Sequence, residues 1–195
     1  EICACLVGSE MCIRDSFDAE KTAWTGEYKE LKAALTEEEY AAARASTLNA
    51  HYTSPTVIRA IYEALDGMGF EKGNILEPSM GVGNFFGMLP DSMLESRLYG
   101  VELDSITGRI AQKLYPQAEI KVAGFETTDR RDFYDLAVGN VPFGNYRVSD
   151  KPYDKLGFSI HNYFFAKALD QVRPGGIVAF VTTVSYTHLR AHETC

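Results

Sequence analysis

Short apolar stretches of three to five residues recur along the chain, separated by turn residues and by apolar residues at helical spacing. Stretches of this length without polar alternation are typical of strands that helices cover on both faces. The succession of strands and helices therefore predicts an α/β fold, with a doubly wound, mainly parallel sheet in a three-layer arrangement. The predicted strands are Asn74–Leu76, Leu98–Val101, Ile120–Val122, Asp135–Gly139 and Ile177–Val181.

Capping residues mark the start of two helices. Thr36 followed by Glu39 has the spacing of a capping box, and the stretch 37–45 is rich in Glu and Ala, which favour helix. Ser54 followed by Pro55 predicts a second helix start, because serine caps free N–H groups and proline lacks one. We interpret 16–50 as a helical lead-in to a main domain at 51–183.

The two ends of the chain can be encoded by the two complementary strands of one DNA sequence. Residues 6–15 (LVGSEMCIRD) can be encoded by DNA whose reverse complement encodes residues 184–193 (VSYTHLRAHE). Antisense agreement over ten codons does not arise by chance, so one DNA element, resembling a transposon-end sequencing adapter, flanks the insert in both orientations. We therefore expect 1–15 and 184–195 to be non-native tails and the domain between them to be truncated.

Excluding these tails changes the composition of the chain. All four cysteines lie in the tails, so neither a disulfide nor a cysteine-ligated metal site is expected. The tails also hold two of the 19 basic and four of the 27 acidic residues, which leaves 17 and 23 and a net charge of −6. An acidic segment is not expected to hold a polyanion strongly by itself. No apolar run reaches the length of a membrane span, so a cytoplasmic domain is expected.

The end of the predicted strand Asp135–Gly139 is the most informative part of the chain. Asn140 offers an amide oxygen, and Val141 offers a carbonyl that the following Pro142 holds in an extended conformation. Phe143 adds a flat apolar ring. Two acceptors and a stacking surface suit a planar base that bears an amino group. The alternative is an ordinary strand-to-loop turn with Phe143 in the core.

The ends of the first two predicted strands carry acids and glycines. Glu77 leads into a turn with Gly81 and Gly83, as in the strand–turn–helix unit of a nucleotide-binding sheet. A dinucleotide site requires a third glycine where this chain has Phe86, so a nucleoside without a pyrophosphate fits better. Glu102 ends the second strand, 21 residues after Gly81, where an acid can accept both ribose hydroxyls.

Two other positions, one at a helix start and one after a strand, each have two interpretations. The helix start at Thr53 and Ser54 presents N–H groups that can hold a carboxylate, although both residues can simply cap the helix. Phe125 and Glu126 follow the third strand, where they can cover an adenine and accept from its amino group. The alternatives are a core position for Phe125 and a surface position for Glu126.

The loop 144–157 combines basic and aromatic residues, among them Tyr146 and Arg147. Placed beside a strand-end site, such a loop can reach a nucleic-acid backbone or base. A mobile surface loop is the alternative.

Taken in order, these motifs resemble those of the N6-adenine-specific DNA methyltransferases. The matching segments are HYTSP (51–55), EPSMGVGNFF (77–86), GVELD (100–104) and DLAVGNVPFG (135–144). The similarity covers 45–183, and its nearest forms are type I modification subunits and methylases fused to helicases in mobile-element proteins. An ordered set is much more specific than a single motif. The resemblance implies a Rossmann-like methyltransferase fold, S-adenosyl-L-methionine as cofactor and adenine in DNA as substrate.

The resemblance also implies residue roles. A flipped adenine would stack on Phe143 while its amino group donates to the Asn140 side chain and the Val141 carbonyl, with no metal required. The family usually has two prolines after the asparagine, and Val141 replaces the first, which keeps the carbonyl but loosens the turn. The implied sets are Asn140, Val141, Pro142 and Phe143 for catalysis; Tyr52, Thr53, Ser54, Glu77, Pro78, Gly81, Gly83, Glu102, Phe125 and Glu126 for the cofactor; and Tyr146 and Arg147 for nucleic acid.

Several partners and functions stay open at this point. DNA, and a fused or associated helicase or specificity region, are the expected partners, with target recognition expected beyond Thr183. The tetrapeptide pattern also resembles that of protein-glutamine and ribosomal-RNA amino methyltransferases. Val141 is compatible with a non-catalytic module of methyltransferase fold that binds DNA or a partner within a larger protein. A nicotinamide oxidoreductase is least favoured, because the third glycine is absent.

Overall fold

The computed structural model describes residues 17, 19–49, 53–144 and 146–182, excepting the side chains of 42 and 45–49. The described residues before 50, together with Asp104–Ile106, form one compact unit, and the other described residues form a second. None of the helices in the described part of the chain is both long and apolar enough to cross a membrane.

The first unit is helical, as the sequence predicts for 16–50. A single 3₁₀ turn precedes helix α1 (Thr25–Ala34), and helix α2 (Glu37–Asn49) follows. The capping box is confirmed: the Thr36 N–H donates to the Glu39 carboxylate at 3.1 Å, and the Glu39 N–H donates to Thr36 Oγ1 at 3.2 Å. These two bonds satisfy N–H groups that the start of α2 leaves without helical partners.

The second unit contains all five predicted strands, with helices between most of them. The elements in chain order are α3 (Pro55–Gly67), β1 (Asn74–Glu77), α4 (Asn84–Gly87), β2 (Arg97–Glu102), α5 (Ser105–Leu114), β3 (Glu119–Val122), β4 (Tyr134–Asn140), α6 (Ile160–Gln171) and β5 (Val172–Val181). The first two residues of α5 belong to the first unit.

The five strands form one parallel sheet in the order β3-β2-β1-β4-β5. Glu77 at the end of β1 pairs with Gly100 of β2, and Asn140 at the end of β4 pairs with Val181 of β5. After β1 the chain first adds strands on one side and then crosses to β4 on the other side. The sheet therefore has a topological switch point between β1 and β4, where open α/β sheets bind ligands at their carboxyl edge.

Apolar side chains of the central strands point to both faces of the sheet. Ile75 and Leu136 pack with Ile58 and Leu65 of α3 on one face. Leu76 and Ala137, each the next residue along its strand, belong to a second cluster that includes Tyr163 and Phe164 of α6. The predicted three-layer α/β architecture is confirmed, since alternate residues of the same strands are buried under different helices.

The last strand departs from its predicted bounds. Strand β5 begins at Val172, five residues before the predicted Ile177. Tyr134 pairs with Val172 and Leu136 pairs with Ile177, so the register shifts across Pro174–Gly176. The Pro-Gly-Gly segment before the predicted strand is thus an irregularity inside β5, because proline cannot donate to a regular ladder.

Leu136→Ala should cost about 2–5 kcal/mol of unfolding free energy, because it leaves a cavity between α3 and the centre of the sheet. Leu169→Ala, on the exposed side of α6, is the matched control and should change stability by less than about 0.5 kcal/mol. Urea unfolding of both variants measures the difference. Equal losses would contradict this packing of β4.

Candidate functional site at the carboxyl edge of the sheet

Three of the predicted site residues lie at the carboxyl ends of neighbouring strands. Glu77 ends β1, Glu102 ends β2 and Asn140 ends β4. Because β1 lies between the other two strands and all are parallel, these ends share one edge of the sheet. Gly139, which precedes Asn140, has a φ of +153°, a conformation that L side chains rarely adopt. A Cβ there would make only an ordinary contact with Glu77 Cγ at 3.4 Å, so the backbone conformation is what favours glycine.

The turn after β1 is fastened to the end of β2. The Met80 N–H donates to the Val101 carbonyl at 3.0 Å, and the Gly81 N–H donates to Glu102 Oε2 at 2.7 Å. The sequence placed Gly81 and Glu102 in one site from their spacing of 21 residues. In the structure they are in direct contact, so the glycine turn and the strand-end acid form one wall of the site.

Gly83 closes this turn in a conformation that requires glycine. Its φ is +86°, and a Cβ there would lie 2.5 Å from the ring of Tyr115. The Tyr115 hydroxyl donates to the Gly83 carbonyl at 2.8 Å. Sequence reasoning missed Tyr115, which lies 32 residues away without a motif of its own.

Glu77 is a buried carboxyl group at this edge of the sheet. Its side chain is 2% exposed, and Oε2 has no hydrogen-bond partner among the described residues. Burial, and to a smaller extent the negative charge of Glu102, raise the pKa of Glu77 well above its usual range. A cation at this position would both supply a partner for Oε2 and stabilise the ionised carboxylate.

The residues Asn140–Phe143 leave the sheet at this edge. Asn140 is half-buried as the last residue of β4, while the Val141 side chain is 1% exposed and belongs to the core. Pro142 and Phe143 are half-buried. Phe143 is thus partly covered by its neighbours, and the alternative of an ordinary strand-to-loop turn with Phe143 in the core stays open. The proposed roles of the four residues in catalysis stay a prediction.

The predicted start of α3 is confirmed, with Ser54 as its cap. The Val57 N–H donates to Ser54 Oγ at 3.4 Å, and Pro55 is the first helical residue. Residues just after α3 line a depression with Asp135, the second residue of β4, so α3 ends near the amino edge of the sheet. Its beginning, with Thr53 and Ser54, therefore points toward the carboxyl edge. Tyr52, the other predicted contact there, lies outside the described residues.

Phe125 and Glu126 form a 3₁₀ turn after β3. The Phe125 ring is 3% exposed and packs on Phe164 of α6 with 5.0 Å between ring centroids. This is the core position that was the alternative interpretation of Phe125, and its contact with an adenine stays a prediction. Glu126 is half-buried, and its backbone carbonyl accepts a hydrogen bond from Lys167 Nζ at 3.1 Å.

Tyr146 and Arg147 lie in the loop after the tetrapeptide, and both side chains are exposed. The backbone of the loop is nevertheless held, since the Ile160 N–H at the start of α6 donates to the Tyr146 carbonyl at 3.0 Å. The two side chains are thus accessible on an anchored backbone, and their contact with nucleic acid stays a prediction.

Comparison with known proteins gives relatives of viral origin. The chain is similar to the defense against restriction protein B of Escherichia phage P1, with 32% identity over 145 residues, which are 71% of this chain and 6% of that protein. It is also similar to the type II methyltransferase M.CvrRI of Paramecium bursaria Chlorella virus XZ-6E, with 34% identity over 92 residues, 47% of this chain and 24% of that protein. The chain therefore spans less than a quarter of the length of either relative. No protein-family model matches the sequence.

Solved structures with similar folds are more distant in sequence. A Listeria monocytogenes protein described as a class I S-adenosylmethionine-dependent methyltransferase superposes with a TM-score of 0.59 at 13% identity, over 93% of this chain and 68% of that one. A SAM-dependent O-methyltransferase of Thermotoga maritima gives a TM-score of 0.51 at 17% identity, over 70% and 48% of the two chains. The strand order, the parallel sheet and these superpositions show that the chain has the fold of the class I S-adenosylmethionine-dependent methyltransferases.

Proposed function

We propose that this chain is the catalytic domain of an S-adenosyl-L-methionine-dependent methyltransferase that modifies the N6 amino group of adenine in DNA. The observation that carries the proposal is the segment Asn140–Phe143, which leaves β4 at the switch point of a sheet with methyltransferase fold. Similarity to a viral protein named as a type II methyltransferase supports methyl transfer. The motifs that resemble those of N6-adenine-specific DNA methyltransferases support adenine in DNA as the acceptor.

The buried carboxylate of Glu77 supports the choice of cofactor. S-adenosyl-L-methionine carries an ammonium group, and a cation is what the unpartnered Oε2 of Glu77 lacks. The glycine turn at Gly81 and Gly83 leaves room for close approach of a ligand to the backbone. Glu102 ends β2 where a ribose lies in related nucleotide sites, and the start of α3 can hold the carboxylate of the methionine part. The residues present therefore fit this cofactor.

The cofactor supplies an electrophilic methyl group on a sulfonium, and the residues of the chain orient the amino group that receives it. In the proposed arrangement the Asn140 amide oxygen and the Val141 carbonyl accept the two amino hydrogens of the adenine. These acceptors aim the nitrogen lone pair and stabilise the positive charge that develops on nitrogen. Phe143 holds the ring of the flipped base by stacking.

Binding of S-adenosyl-L-methionine should release a proton from Glu77. In the free protein the raised pKa keeps Glu77 protonated above the usual glutamate range, and a bound cation favours the ionised form. Affinity should therefore rise with pH up to that raised pKa and level off above it. Calorimetry in two buffers of different ionisation enthalpy measures the proton release.

Glu77→Gln is the matched control for this titration, because glutamine keeps the shape of the side chain without its proton equilibrium. The variant should bind without proton release and more weakly, by about 1.5–3 kcal/mol for a lost charged hydrogen bond. Without ligand it should be more stable than the parent above about pH 4.5, since an unfolded glutamate ionises there while native Glu77 does not. Binding heats of the parent that do not depend on buffer would contradict the assignment.

Asn140→Ala should lower the rate of methylation by about 10²–10³ and leave cofactor affinity nearly unchanged, because Asn140 acts only on the reacting amino group. The assay uses the full-length protein with unmodified DNA, and with RNA and a release-factor protein as competing acceptors. Asn162→Ala, an exposed asparagine on α6, should keep the parental rate. A fully active Asn140→Ala enzyme would exclude this mechanism, and methylation of RNA or protein alone would change the substrate.

A second candidate function follows from Val141, which occupies the place of a family proline and whose side chain is buried in the core. If the site is catalytic as it stands, Val141→Pro should retain or raise the methylation rate, because proline keeps the carbonyl and restricts the turn. A parent protein that binds the cofactor without turnover, and that gains activity only as Val141→Pro, would favour a non-catalytic binding module. The same methylation assay, beside cofactor calorimetry, distinguishes the two.

A further inference from the structure

A buried ion pair joins helix α6 to the loop that follows the tetrapeptide. Lys167 Nζ lies 2.6 Å from Asp150 Oδ2, and the two side chains are only 4% and 9% exposed. The Tyr163 hydroxyl donates to the same carboxylate oxygen at 2.7 Å. Burial and this bond to Asp150 raise the pKa of the Tyr163 phenol, which therefore stays a neutral donor.

Lys167 also contacts the turn after β3, which holds Phe125 and Glu126. Its ammonium group donates to the backbone carbonyl of Glu126 at 3.1 Å. The rings of Phe125, Tyr153 and Tyr163 surround the ammonium, with centroids 5.3–5.9 Å away. One buried cation thus bridges the turn 124–127 after β3, which we call the cofactor-side turn, and the loop 146–157, which we call the target-side loop.

Stability of the fold alone does not require an ion pair between Lys167 and Asp150. A buried pair can usually be replaced by apolar side chains of similar size with little loss of stability, whereas removal of one partner leaves a buried charge without compensation. The Lys167 ammonium takes hydrogen-bond acceptors from both segments, the Asp150 carboxylate from the loop and the Glu126 carbonyl from the turn. The two segments that carry these acceptors should therefore become ordered together.

We propose that Lys167 is a positioning residue that couples the cofactor-side turn to the target-side loop, so that the bound cofactor organises the loop that meets the target base. The inference rests on the proposed function, because it takes the turn at Phe125 and Glu126 as the adenosine side of the cofactor. Neither Lys167 nor Asp150 contacts the reacting atoms in this arrangement.

Hydrogen exchange of the full chain, with and without saturating S-adenosyl-L-methionine, tests the coupling. In the parent protein the cofactor should slow exchange in both the cofactor-side turn and the target-side loop. In the double variant Lys167→Met/Asp150→Asn, which removes both buried charges at once, the turn should still be protected. Protection of the loop by the cofactor should fall by about five- to tenfold, the size of a typical coupling between sites.

Tyr163→Phe is the matched control, since it removes one hydrogen bond to the same Asp150 oxygen and leaves the lysine bridge intact. The Tyr163→Phe variant should keep the protection of the loop by the cofactor. If the contacts to Asp150 only stabilised the fold, Tyr163→Phe should reduce this protection as well. Undiminished protection in the double variant, or equal loss in Tyr163→Phe, would overturn the proposal.

Failure of the proposed function is recognised separately, because calorimetry would then show no cofactor binding to the parent protein. In that case, hydrogen exchange without any ligand tests whether Lys167 couples the turn to the loop. Exchange in the cofactor-side turn should be faster in the double variant than in Tyr163→Phe if Lys167 joins the two segments. Equal exchange in the two variants would overturn the proposal in the absence of cofactor binding as well.

Discussion

The parallel pairing of β2, β1 and β4 is the constraint on which the site depends. It brings the carboxyl ends of three strands to one edge, with Glu77 between the ends that carry Glu102 and Asn140. The hydrogen bond from the Gly81 N–H to Glu102 then fixes the turn that follows β1. Residues separated by more than 60 positions in the chain can act on one ligand only because this sheet places them together.

Two buried ionisable groups near the site differ in whether their charged forms have partners. Lys167 is fully compensated, by the Asp150 carboxylate, the Glu126 carbonyl and the faces of aromatic rings. Glu77 has an oxygen without a partner and stands near a second acid, which raises its pKa. A compensated buried charge stabilises an arrangement of segments, whereas an uncompensated one favours a ligand of opposite charge. The positioning role proposed for Lys167 and the cofactor role proposed for Glu77 follow from this difference.

The relatives place the domain in a larger context. Both are viral proteins, and the chain matches only 6% and 24% of their lengths. An acidic chain gains little affinity for DNA from its overall charge. Under the proposed function, exposed basic groups such as Arg147 are therefore the candidates for contacts to the phosphate backbone.

The sequence determined the fold class, all five strands, both capped helix starts and the grouping of Gly81 with Glu102. These features depend on local chemistry: apolar runs, capping side chains and a turn of fixed length between neighbouring elements. The segment Asn140–Phe143 at the end of β4 was also recognisable, because proline and asparagine at a strand end form a local pattern.

Only the tertiary structure showed which residues distant in the chain contact these motifs. Tyr115 supports Gly83 from 32 residues away, and Lys167 bonds Glu126 from 41 residues away, without a pattern that links either pair in the sequence. The burial of Phe125 under α6 and the missing partner of Glu77 depend on which elements pack around them. The packing and the desolvation of a side chain depend on neighbours that are distant in the chain. Local sequence patterns therefore do not predict them.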